Sequence, residues 1–168
     1  MGAEDIIGLL GFGMAGTAAV LMLKPDLLTQ IPVNLPSEIP IIPTGSEKDR
    51  LLAAINSERS KASIGSLSLN SQLNQVAQYW ANECVKYGIS EHYYNGSTPA
   101  IRAYQFGISG GGTIYEILSK TWSPERAVSN FLNSPSHRYA MLLGSLSKAG
   151  LGVASYGNGY NIYVIDML

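Results

Sequence analysis

The chain has 168 residues, a formal net charge of −1 and only 14% charged residues. The length fits one ordinary domain with an appendage. The near-neutral balance, with no basic run, excludes a nucleic-acid binder that works by neutralising phosphates, and a single cysteine, Cys84, excludes an internal disulfide.

The first element is apolar. Ile6 to Leu23 reads IIGLLGFGMAGTAAVLML without one charge, which just reaches the length of a bilayer-spanning helix. The residues before it are acidic, Glu4 and Asp5, and no small-residue cleavage site follows. A retained membrane helix over residues 1–24 is therefore expected rather than a removed signal. Gly11, Ala15 and Ala19 recur at four-residue steps, a spacing that lets helix backbones approach closely in lipid. Its expected partners are membrane lipid or copies of the same helix. Residues 25–46 hold five of the eight prolines and read as an extended stalk.

The globular part, 47–168, opens with a capping signature, Ser46 followed by Asp49, and apolar residues at helical spacing, Leu51, Leu52 and Ile55, with Arg59 one turn further on. Asn70 predicts a second cap. Leu73, Val76, Ala77, Trp80, Ala81 and Cys84 form one apolar face, and Gly88 is placed to end that helix. Thr98-Pro99, Ser123-Pro124 and Ser134-Pro135 each predict a helix start, because proline suits the first helical position. Thr113 to Leu118 reads as a strand. Leu151 to Tyr156 and Tyr160 to Met167, joined by Gly157-Asn158-Gly159, read as a hairpin. Helices first and paired strands last predict an α+β fold with an antiparallel sheet.

Chemistry-bearing residues are few. There are two histidines, His92 and His137, and between Arg59 and Ile165 the acids are Glu83, Glu91, Glu116 and Glu125. Two histidines with two glutamates could hold a divalent metal such as zinc, or serve as acid/base groups around water. Simpler roles are open for each. Glu125 in a first helical turn gains about 0.3–1 kcal/mol from the helix dipole. Glu116 could pair with Arg102 or Lys120, His137 could cap or pack, and His92 could be solvated. Asn95-Gly96-Ser97 is a glycosylation sequon on a predicted loop.

Several stretches resemble the CAP superfamily, the cysteine-rich secretory, antigen 5 and pathogenesis-related 1 (SCP-like) proteins, in a cysteine-free prokaryotic form. They are Leu51 to Arg59, Leu67-Ser68-Leu69-Asn70, His92 with Thr98-Pro99 and Arg102, Asn133-Ser134-Pro135-Ser136-His137-Arg138, and Gly150-Leu151-Gly152-Val153-Ala154. The resemblance implies an α-β-α sandwich and a cleft holding two histidines and two glutamates. Residue by residue these map to His92, His137, Glu116 and Glu125. The family's Gly-Glu-Asn is Tyr115-Glu116-Ile117 here, and its tryptophan before the second histidine is Phe131. The resemblance does not imply one reaction. The expectation is a membrane-anchored extracellular binding module with an unknown ligand. A structural subunit of a virion, filament or surface assembly, and a hydrolase, are the alternatives.

Overall fold

The computed structural model describes residues 45–108 and 113–168. The expected apolar helix over 6–23 and almost all of the stalk lie outside the described residues. Among the described residues no helix is long and apolar enough to cross a membrane.

The elements are α1 (Glu47–Lys61), β1 (Ser68–Leu69), α2 (Ser71–Tyr87), α3 (Pro99–Gln105), β2 (Tyr115–Thr121), α4 (Pro124–Asn133), α5 (Pro135–Met141), β3 (Lys148–Ser155) and β4 (Asn161–Met167). The capping signals act as read. Ser46 and Asp49 form a reciprocal capping box at α1. Asn70, Thr98 and Ser123 each accept from a first-turn backbone N–H of α2, α3 and α4. Gly88 closes α2 in the left-handed conformation at φ 69°. Ser134 precedes α5 without a side-chain cap bond.

The strands form one sheet in the order β1-β3-β4-β2. β4 runs antiparallel to both β3 and β2. The expected wholly antiparallel sheet is corrected to a mixed one, because β1 pairs with β3 in parallel. β1 escapes a periodicity reading because it is only two residues long, and the helix α2 that follows it begins almost at once. The wall of the sheet beyond β1 is finished by side chains instead. Asn74 Oδ1 accepts from the Leu151 N–H, and Gln78 both accepts from and donates to the Val153 backbone. These bonds cover an otherwise open strand edge.

Helices cover both faces of the sheet. Leu51 and Ile55 of α1, Val128 and Phe131 of α4 and Met141 of α5 pack on one face, against Leu151, Tyr163 and Ile165. Ala77, Trp80, Ala81 and Cys84 of α2 pack on the other, against Leu118, Ile162 and Val164. Gly150 and Gly152 set the closeness of α2. A Cβ on either would lie 2.0 Å from the backbone of Leu73 or Ala77, so only glycine fits. Arg59 is fully buried and ties α1 to the segment before β3, donating to the carbonyls of Gly65, Met141, Leu143 and Leu146. Cys84 lies in the core, where burial pushes its thiol up to about 11 and leaves it inert.

Candidate functional site

Three segments meet at one end of the sheet. His92 lies between α2 and α3, in a stretch held by two hydrogen bonds. The Trp80 indole N–H donates to the Glu91 carbonyl at 2.9 Å, and Arg102 donates to the His92 carbonyl at 3.3 Å. Glu116 is the second residue of β2, and His137 is in the first turn of α5. The Glu116 side chain is 1% exposed and uses both oxygens. Oε1 meets His92 Nδ1 at 2.9 Å, and Oε2 accepts from Arg102 at 2.5 Å. Arg102 is fully buried, with its guanidinium carbon 3.7 Å from the centre of the Trp80 ring. Stacking on that indole holds the cation where it can neutralise Glu116.

With Nδ1 on a carboxylate, His92 keeps Nε2 for the cleft. The His92 and His137 ring centres are 5.7 Å apart at 65°, and the Phe131 ring backs His137 edge-on, also at 5.7 Å. Burial, and secondarily the neighbouring His92, hold the His137 imidazole below the ordinary histidine range. Both rings line a cleft of about 400 Å³ together with Ser136 and two exposed tyrosines, Tyr93 and Tyr139.

The pair of imidazoles can be tested against a metal. A zinc–nitrogen bond of about 2.0–2.1 Å places two imidazole centres bound to one tetrahedral ion roughly 5–6 Å apart. The observed 5.7 Å fits, and the carboxylate on His92 Nδ1 is the outer-sphere partner that orients a ligating imidazole. No group of three or more His, Cys, Asp or Glu side chains disposed to hold a metal occurs among the described residues. Two imidazoles are the donors the described residues offer here, short of a three-ligand site.

The structure brings His92, Glu116 and His137 together and leaves Glu125 elsewhere. Glu125 begins α4 and accepts from Arg50 of α1 through two hydrogen bonds of 2.9 and 2.6 Å. That pairing holds its carboxyl below the usual range. It borders a separate groove with Ala54, Glu58 and Val128. Its position in the first turn of α4 and its tie to Arg50 account for it without the cleft.

A different acid lies beside Glu116. Asp166 of β4 is directly opposite it in the β2–β4 register and is fully buried. Both Asp166 oxygens lack a hydrogen-bond partner, as does Arg102 Nε. Burial, and then the charge of Glu116, drive the Asp166 carboxyl well above the usual range, with Arg102 opposing. The signal was present in the sequence. Ile162 to Met167 is a continuous apolar run apart from this acid, and such a strand is buried on both faces. A lone carboxyl inside it is out of place unless paired or protonated.

The sequence model of the cysteine-rich secretory protein (CAP) family matches residues 52–167, and the chain belongs to that family. Among solved structures it is similar to an outer surface protein from Borrelia burgdorferi, with 26% identity and a TM-score of 0.68, covering 75% of this chain and 94% of that one. It also resembles an extracellular SCP-domain protein from Bacillus anthracis, with 20% identity and a TM-score of 0.61, covering 75% of this chain and 44% of that one. A cysteine-rich secretory protein from Staphylococcus aureus shares 15% identity at a TM-score of 0.57, covering 77% of this chain and 40% of that one. The last two likenesses concern the fold. No curated protein matches the chain in sequence.

Proposed function

We propose that the protein is an extracellular binding module, tethered through its apolar residues 6–23, whose cleft holds a divalent metal such as zinc between His92 and His137. The observation that carries this is the 5.7 Å approach of two imidazoles, one of them oriented by a buried carboxylate. The exterior setting is supported by the outer surface and extracellular relatives.

Binding is favoured over hydrolysis by the state of the acids. Glu116 has both oxygens engaged, Asp166 is sealed in the sheet, and Glu125 borders another groove. Among the described residues no uncommitted carboxylate lines the cleft to take a proton from water.

Calorimetric zinc titration at pH 7.5 and pH 4 tests the reading. Ligating histidines must be neutral, so binding should be measurable at pH 7.5 and lost at pH 4. His137→Ala should abolish it with the fold intact. Equal affinity at both pH values, or binding that survives His137→Ala, would refute the two-histidine site.

A further inference from the structure

One motif of the sequence takes no part in the chemistry of the cleft. Asn95-Gly96-Ser97 is the single Asn-x-Ser/Thr triplet in the chain. It forms the tip of the loop between α2 and α3. The Ser97 N–H donates to the Tyr94 carbonyl at 2.9 Å, and the Tyr94 N–H donates to the Ser97 carbonyl at 3.4 Å. Asn95 and Gly96 turn the chain between them at φ 49° and φ 75°. Two successive positive φ values mark a type I′ turn, which asparagine followed by glycine adopts with least strain. The turn is anchored on its inner side. The Tyr94 ring packs 4.8 Å from that of Tyr87, and the buried Arg102 donates to Ser97 Oγ at 3.2 Å.

The Asn95 side chain is uncommitted where most others in the domain are bound. Asn56, Asn70, Asn74, Asn130 and Asn161 each hold a backbone or side-chain partner. Asn95 is exposed. The side-chain bonds of its loop run through His92, Ser97 and Thr98, and none among the described residues engages it. The turn explains an Asn-Gly pair. It does not explain why the next residue carries the hydroxyl that completes an acceptor triplet for N-linked sugar.

We propose that Asn95 is a site of N-linked glycosylation. This rests on the exterior setting given above, because only a chain that leaves the cell meets the transferase. The co-substrate is an oligosaccharide carried on a polyprenyl phosphate. Asn95 Nδ2 bonds to the anomeric carbon, the bond from that carbon to the carrier's phosphate oxygen breaks, and the amide gives up one proton to a base of the transferase. The triplet also requires the Ser97 hydroxyl. In the folded domain that hydroxyl is held by Arg102, so transfer precedes closure of the loop. The folded turn then holds the sugar at the rim of the cleft, since Tyr93 and Pro99, on either side of the turn, both line it. An N-linked chain is bulky and solubilising, which suits a protein with only 14% charged residues.

The test uses the full chain isolated from the cells that make it natively. Trypsin releases Tyr87 to Arg102 as one peptide, because no Lys or Arg lies between Lys86 and Arg102. That peptide should carry the added mass of an oligosaccharide and give sugar ions on collision. Electron-transfer fragmentation should place the sugar on Asn95. Asn95→Gln should return the peptide at its unmodified mass. Ser97→Ala should lose the sugar with Asn95 still in place, and Ser97→Thr, which keeps the hydroxyl, should retain it. Location is read separately, by a protease added to intact cells. A chain cut from outside whose peptide is unmodified, or altered only by deamidation, overturns the glycan alone. A sugar that maps to Ser97 or Thr98 overturns it too. A chain cut only after the cells are lysed overturns the exterior reading and the glycan together.

Discussion

Replacing Asp166 with Asn should remove a pH-dependent load from the fold. In the native sheet Asp166 is fully buried, both its oxygens are unpartnered, and Glu116 lies directly across the ladder. A protonated Asp166 can donate to Glu116, whereas an ionised one places two like charges side by side, with Arg102 bonded to Glu116 alone of the two. Its carboxyl is raised in the folded state, so the folded state binds the proton more tightly than the unfolded chain does. Stability from this group is therefore full below the unfolded value near 3.8 and is lost as pH rises toward the folded value. One proton gives a slope of about 1.4 kcal/mol per pH unit inside that window. For a domain of this size, that is roughly 4–6 °C of melting temperature per pH unit.

Asparagine keeps the shape and the donor of the protonated acid and cannot ionise. Melting curves of wild type and Asp166→Asn, taken in half-unit steps from pH 4 upward, separate this group from all others, because only the difference is read. The two proteins should be close near pH 4, and the variant should gain steadily as pH rises. Parallel curves across the whole range would refute the reasoning, since they would mean that Asp166 keeps the same charge in the folded and unfolded chains.

The other buried groups give sharper contrasts. Glu116→Gln strands the fully buried Arg102 and should cost about 3–5 kcal/mol by chemical denaturation. Glu125→Gln breaks an exposed pair and should cost no more than about 1 kcal/mol, leaving zinc affinity unchanged by calorimetry. Gly150→Ala forces a Cβ to 2.0 Å from the Leu73 carbonyl carbon, so expression should yield a protein without a cooperative melting transition. His137 has a lowered folded pKa, so native stability should fall as pH drops below about 6.5. His137→Gln should flatten that acid limb in the same melting series. A chain lacking residues 1–24 should stay folded by circular dichroism, because the described core elements begin at Glu47.

Some parts of this structure are written locally and others are not. Helix starts are local, because a Ser, Thr or Asn oxygen binds an N–H only a few residues away. α1, α2, α3 and α4 therefore begin at the residues their caps predict. The family motifs carry the two histidines, and the cleft brings them together. The parallel pairing of β1 is not local. Ser68 and Leu69 acquire their partners from Lys148 and Ala149, far along the chain, and two residues hold no period. The acids fail for a related reason. Glu125 has a first-turn position that any helix rewards, and Arg50, not a histidine, is its partner in space. Asp166 was legible as an anomaly of its strand, but its neighbour Glu116 is set only by the β2–β4 register.

That register also explains how one arginine serves two acids. Arg102 reaches Glu116 with Nη2 and the His92 carbonyl with Nη1, which leaves Nε unpartnered, as both Asp166 oxygens are, while its charge still acts on Asp166. One cation then faces two carboxyls and one imidazole that bonds to the first of them. The buried cluster is neutral when Asp166 holds its proton. A metal on His92 would supply positive charge without a proton. Metal binding and Asp166 ionisation should therefore assist each other, by the reciprocity that links any two coupled equilibria. In Asp166→Asn the cluster has one acid fewer, so the variant should bind zinc more weakly than wild type once pH has risen far enough to ionise Asp166, and nearly equally where Asp166 is protonated in both states. Calorimetry at two pH values reads the effect directly. An affinity ratio that does not change with pH would separate Asp166 from the cleft and confine it to the stability of the sheet.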